Sequence, residues 1–246
     1  MTDAPIVTSQ GRSFPVVPKW LDRPVGNQRL EIAVADLVLH ALDSSPGSAL
    51  VFLPGEGEIR RVEAALQGRL APDCTVAPLF GAMDFKAQRA AVTPAQTGRK
   101  VVLATSIAET SLTIEGVQIV VDLGRARRMQ FDPSSGMSRL ITERVTRAEA
   151  TQRAGRAGRV SEGVAFKLWT RGEEGALAGF PPAEIEVADL SSFALELAIW
   201  GAKADDLSFV TPPHQGRLAE AQSVLQMLGA LDQTKHITPH GRALAR

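Results

Sequence analysis

"SALVFLPG" (48–55) is followed at once by "GEIRRVEAALQGRL" (57–70), and the reading of this pair decides the fold class. The first is a short apolar run closed by Pro54-Gly55, the pattern of a buried strand ended by a turn. The second is amphipathic at helical spacing. The alternation continues in both directions. Upstream, Leu30, Val34, Leu37, Val38 and Ala41 predict a helix over about 27–42. Downstream, "VAPLFG" (76–81), "KVVLAT" (100–105), "VQIVVDLG" (117–124) and "GVAFKLWT" (163–170) are strand-like, and "MDFKAQRAAV" (83–92) is helical. Short apolar strands alternating with helices specify an α/β domain with a parallel sheet. Ligands of such sheets bind beyond the carboxyl ends of the strands, so Pro54–Gly55 and Thr105–Ser106 are expected on a binding edge.

One segment breaks the rhythm. "RRMQFDPSSGMSRLITERV" (127–145) reads as an inserted β-hairpin, with strands at 127–132 and 137–143 around a Pro133–Gly136 turn. Met129, Phe131, Met137, Leu140 and Ile141 are expected to be available for packing. Past Phe180-Pro181-Pro182 the character changes again. "VADLSSFALELAIWG" (187–201) and "PPHQGRLAEAQSVLQMLGALD" (212–232) predict two helices, and "HITPHGRALAR" (236–246) a short extended piece and a third. The expected division is 1–180 for the α/β domain and 181–246 for a partial winged-helix module, with the chain stopping inside its last helix.

The 246 residues are 44% hydrophobic, enough for a packed core. A lone Cys74 leaves no internal disulfide and fits a reducing compartment. The start has no basic region leading into an apolar core, and no apolar run approaches a membrane span, so a cytoplasmic location is expected. The four histidines show no ligand spacing, and no metal site is expected. Zero net charge conceals a polarity. Residues 125–159 carry nine arginines against three carboxylates, while 172–206 carry eight acids and one lysine. A charge run alone reads as a solvated face, but an all-arginine run suits bidentate contact with phosphates.

The arginines culminate in "TQRAGRAGRV" (151–160), yet the chain contains no G-x-x-x-x-G-K-[ST] phosphate loop. Gln152, Arg156 and Arg159 stand at i, i+4 and i+7, which predicts one helical face. Gly155 and Gly158 are expected to keep that helix slim enough for another domain to approach.

Taken together, "VVLATSIAETSLTIEGV" (101–117), "QRAGRAGR" (152–159) and "LVFLPGEGEI" (50–59) closely resemble signature motifs of the DEAH/RHA helicases. "PLFGAMDFKAQR" (78–89) and "VVDLGRARRMQFDP" (120–133) match the segments between them. "GRSFPV" (11–16) and "LELAIWG" (195–201) point to the bacterial HrpB-like branch. The resemblance implies the second RecA-like (P-loop NTPase-type) domain of an ATP-dependent RNA helicase and the start of its winged helix. The first RecA-like domain, with the phosphate loop and DEAH box, is expected to be a partner in the same full-length chain. ATP would bind between the two, with Mg²⁺ held mainly by the first.

By the same resemblance Arg156 and Arg159 are arginine fingers, and Gln152 faces the γ-phosphate and its attacking water. Thr113, Glu115 and Arg153 are nucleotide-binding. Gly55, Thr105, Ser106, Thr110 and Ser111 contact the backbone of single-stranded RNA or DNA. Ser106 stands where the family usually has Asn, Glu115 where Asp is commoner, and Val92 where many eukaryotic relatives carry an aromatic. Plainer readings share some letters: a strand-to-helix turn at Gly55, a helix cap at Thr110 and Ser111, core packing at Val92. Two other functions also fit: a non-catalytic RNA-binding adaptor, and a DEAH-type ATPase that remodels RNA–protein complexes without unwinding.

Overall fold

A computed structural model describes residues 5, 7, 8, 14–109, 114–132 and 135–245. The elements run β1 (Val16–Leu21), α1 (Leu30–Ser44), β2 (Ser48–Phe52), α2 (Glu56–Leu66), β3 (Cys74–Leu79), α3 (Phe85–Val92), β4 (Arg99–Ala104) and β5 (Val117–Asp122). They continue with β6 (Arg125–Asp132), β7 (Met137–Arg144), α4 (Arg147–Ala154), β8 (Gly163–Thr170) and α5 (Arg171–Gly175). The last are α6 (Glu184–Val187), α7 (Ser191–Trp200), α8 (Gln215–Met227) and α9 (Pro239–Leu244). Contacts divide the chain into two compact units: 1–127 with 142–181, and 128–141 with 182–246.

The first unit is built on a six-stranded parallel sheet in the order β1-β8-β5-β2-β4-β3. Strand periodicity sends alternate residues to opposite faces. Ala49, Val51 and Leu53 pack in the layer under α1 and α2, with Val101, Leu103, Ile119 and Val121. Leu50 and Phe52 pack on the other face with Val102, Ala104, Ala108 and Ala157. Two consecutive residues at the start of β4 show the same alternation in polar form. Arg99 donates to the carbonyls of Leu42, Ser45 and Gly47 at the end of α1. Lys100 donates to those of Ala90 and Thr93 at the end of α3. Each thereby satisfies helix-terminal carbonyls that have no intrahelical partner.

The edge strand β1 was not expected. Pro18 argues against a strand in the sheet interior, but an edge strand tolerates it, and β1 pairs with β8 alone.

The hairpin is present as β6 and β7, which form a separate two-stranded sheet. Joined only by 133–136, they can pair only antiparallel. Pro133 and Ser134 of the expected turn lie outside the described residues. Of the side chains expected to pack, Met129, Met137 and Leu140 are instead more than half exposed. Within the second unit, Phe131 and Gly136 line a small cavity of about 50 Å³ with Leu190, Arg217 and Val224. The helices α7 and α8 bury Leu190, Ala194, Leu195, Ala221 and Leu225 against Ala230 and Leu231. Leu231 bridges Ile237 antiparallel, just before α9.

Candidate functional site

The loops after β2 and β4 lie at the carboxyl edge, as parallel topology requires. Gly55 is the N-cap of α2 in extended backbone, so it is demanded by space, not by conformation. A Cβ there would stand 2.4 Å from the Arg127 guanidinium. Gly55 is buried beneath that group, and the half-exposed cation at this point is Arg127, which also pairs with Glu58 at 3.3 Å. The resemblance had not singled out Arg127; its position in the arginine run was the available signal. Thr105 is half-buried and its N–H donates to the Leu79 carbonyl at 3.1 Å. Ser106, exposed, opens a short 3₁₀ turn, Ser106–Ala108. Thr110, Ser111 and Thr113 lie outside the described residues.

Glu115 is brought to the opposite edge. It is exposed in the turn before β5, whose next residue, Gly116, accepts from Ser48 at the start of β2. Six strand residues separate this edge from Thr105, roughly 20 Å. Thr105 and Glu115 therefore stand at opposite edges of the sheet.

The arginine turn follows α4. Thr146 and Glu149 form a reciprocal capping box at the start of α4, a T-x-x-E signature legible in the sequence. The helix ends at Ala154, so the prediction of one helical face through Arg159 is corrected. Arg156, Ala157 and Gly158 donate three residues back, to Arg153, Ala154 and Gly155, and the chain tightens into successive 3₁₀-like turns. The role expected of the glycines changes too. A Cβ on Gly155 would meet nothing closer than 3.4 Å, whereas one on Gly158 would lie 2.5 Å from the Phe14 carbonyl oxygen. Gly158 thus admits the approach to β1 of its own domain; Phe14 N–H donates to its carbonyl at 2.9 Å.

The four polar side chains of this segment separate. Gln152 and Arg159 are exposed, while Arg153 and Arg156 are buried. Arg156 donates to the backbone carbonyl of Glu109. Burial, with repulsion from nearby Arg159, holds its pKa below the usual arginine value. Past the turn, Ser161 accepts from Gln118 of β5 at 2.7 Å, so Arg159 approaches the amino edge that also carries Glu115.

Arg153, expected on the nucleotide, points inward and is 1% exposed. Its Nε reaches Glu109 Oε1 at 2.6 Å, its Nη1 reaches Asp122 Oδ1 at 2.9 Å and the Arg125 carbonyl at 3.2 Å. The guanidinium also stacks 5.1 Å from the Phe52 ring centre. Burial pushes the Glu109 carboxyl up, and Arg153 offsets only part of this against Glu149 and Asp122. Asp122 Oδ2 is buried with no hydrogen-bond partner among the described residues. Among those residues no cluster of His, Cys, Asp or Glu fits a metal ion, so no carboxylate set for Mg²⁺ is found in them.

The profile of the helicase conserved C-terminal domain matches residues 32–161. The chain is 44% identical over its full length to the ATP-dependent RNA helicase HrpB of Escherichia coli K12, of which it covers 30%. It is 36% identical, over 98% of its length, to the pre-mRNA-splicing factor ATP-dependent RNA helicase prp22 of Schizosaccharomyces pombe, covering 21% of that protein. The crystal structure of the Escherichia coli DEAH/RHA helicase HrpB superimposes with a TM-score of 0.92 at 45% identity, over 99% of this chain and 31% of that one. This chain spans about a third or less of each of these relatives.

Proposed function

This chain belongs to the DEAH/RHA helicase family, and we propose that it serves as the second motor domain of an ATP-dependent RNA helicase. The carrying observation is the bond from Arg156 to the Glu109 carbonyl. It ties the arginine turn to the segment that begins at the nucleic-acid edge with Thr105 and Ser106. In this reading ATP is bound across the amino edge, with Glu115, Arg159 and Thr113 contributing to the nucleotide. Arg156 and Arg159 neutralise charge developing on the γ-phosphate, and Gln152 orients the attacking water. Mg²⁺ belongs to the first RecA-like domain. Thr105, Ser106, Thr110 and Ser111, with Arg127 over Gly55, follow the phosphate backbone of a single strand without reading bases. No helix among the described residues is long and apolar enough to cross a membrane, which accords with a proposed cytoplasmic location.

The test is kinetic. In the full-length chain, Arg156→Ala and Arg159→Ala should each lower kcat for ATP by about 10²-fold or more, with ATP affinity less affected. Parent-like kcat in both variants would remove the finger assignment and favour an adaptor.

A further inference from the structure

Arg153 makes its contacts at four points of the chain, and three of them lead into different parts of the proposed machinery. Glu109 ends the turn that starts at Thr105. Arg125 opens β6, two residues before Arg127. Phe52 ends β2, three residues before Gly55. Its own helix continues directly into Arg156. Asp122, at the end of β5, completes the seat.

Stability alone does not account for this arrangement. Removing a guanidinium from water costs several kcal/mol, and well-packed apolar residues commonly replace a buried ion pair at no loss. The cluster is also unbalanced. Two carboxylates face one guanidinium, and Asp122 meets it through Oδ1 only, leaving Oδ2 as a buried acceptor with no partner among the described residues. That oxygen offers the guanidinium a second seat close to the first. A buried group with two nearby seats, joined to several separate segments of the chain, is a discrete element through which two sites can bias one another.

We propose that Arg153 is a positioning residue for nucleic-acid-stimulated ATP hydrolysis: it holds the 105–109 segment, the hairpin base and the end of β2 in register with the turn that carries Arg156. It touches neither ATP nor RNA. This rests on the reading of the chain as a helicase motor domain.

The experiment uses the full-length chain with a single-stranded oligouridylate. ATP hydrolysis is measured with and without the oligonucleotide, beside its binding by fluorescence anisotropy, for the parent, Arg153→Lys, Glu109→Gln and Arg156→Ala. Arg153→Lys keeps the charge and loses the fork; Glu109→Gln keeps the shape and loses the charge. Both should lower the ratio of stimulated to unstimulated rate about fivefold or more, with oligonucleotide affinity within about twofold of the parent. Glu109→Gln answers on its own if Arg153→Lys does not fold. An unchanged ratio, with both rates reduced in proportion, would make the cluster structural only. A raised KM for ATP with the ratio intact would make Arg153 a nucleotide ligand. Either result overturns the inference while Arg156→Ala still lowers kcat by about 10²-fold or more and the motor reading stands. Full activity in Arg156→Ala sinks that reading and the inference with it.

Discussion

Arg153 and Lys167 are both buried cations of the same sheet domain, but their partners come from very different distances along the chain. Lys167 binds both oxygens of Glu174, seven residues away, at 2.7 and 2.9 Å. Its ammonium lies 4.9 Å from the ring centre of Trp20 and 5.6 Å from that of Trp169. The indole N–H groups of both tryptophans also donate to Glu174. Apart from edge-strand Trp20, this cluster closes on the turn after β8, which has its own capping box, Thr170 with Glu173. Arg153 instead reaches 44 residues back to Glu109 and 31 to Asp122. The Glu174 side chain keeps 24% of its surface, and Asp122 only 4%. The first cluster closes on the turn after β8 and fastens the edge strand β1 to its neighbour. The second joins segments that the proposed mechanism requires to move together. A buried charge is therefore interpreted by where its partners lead, not by its burial.

The largest expected effect follows from that contrast. Arg153→Met strands two carboxylates in the interior and should cost about 3–5 kcal/mol. Lys167→Met leaves one carboxylate that water can still reach, and should cost about 1–3 kcal/mol. Denaturant midpoints at unchanged m-value measure both, and equal losses would erase the distinction.

A smaller effect is expected at Gly124, where the clusters adjoin. Its N–H donates to Asp122 Oδ1 at 2.8 Å, and a Cβ would lie 2.7 Å from the Trp169 ring at a φ of +77°. Only glycine adopts this backbone without cost. Gly124→Ala should destabilise by about 1–3 kcal/mol and perturb tryptophan fluorescence; an unperturbed spectrum would mean that the clusters are not mechanically joined.

The smallest effect is on pH dependence, and its sign differs between the clusters. Burial pushes the Glu174 carboxyl up, but hydrogen bonds from Lys167 and the tryptophans, with the lysine's charge, outweigh it and hold it below its ordinary value. Its contribution is thus present above the unfolded value of about 4.3 and is lost as pH falls through the lower folded value. Glu109 is held above its ordinary value, chiefly by burial. Its contribution is full below about 4.3 and declines as pH rises through the higher folded value. Thermal unfolding of the 246-residue chain from about pH 3 to pH 7 should therefore lose its acid-side slope in Glu174→Gln and its neutral-side decline in Glu109→Gln. Slopes of the same sign in the two variants would contradict the contrast.

Much of this molecule was determined locally. Apolar runs such as Leu50–Leu53 and Val101–Ala104, separated by amphipathic helices, specify a parallel sheet because each short segment can bury itself in only one way. The hairpin between β5 and α4 was legible for the same reason, and the arginine run was the ground for expecting a phosphate ligand. Edge strand β1 was not legible, because Pro18 masks it and only its pairing with β8 makes it a strand. Nor was the helix end at Ala154, since spacing alone continues the pattern to Arg159. Above all, periodicity cannot distinguish an arginine that faces a nucleotide from one turned inward. Arg153, Arg156 and Arg159 are three residues apart and chemically identical, and only the placement of Glu109, Asp122 and Phe52, from distant parts of the chain, decided which of them is buried in an ion pair.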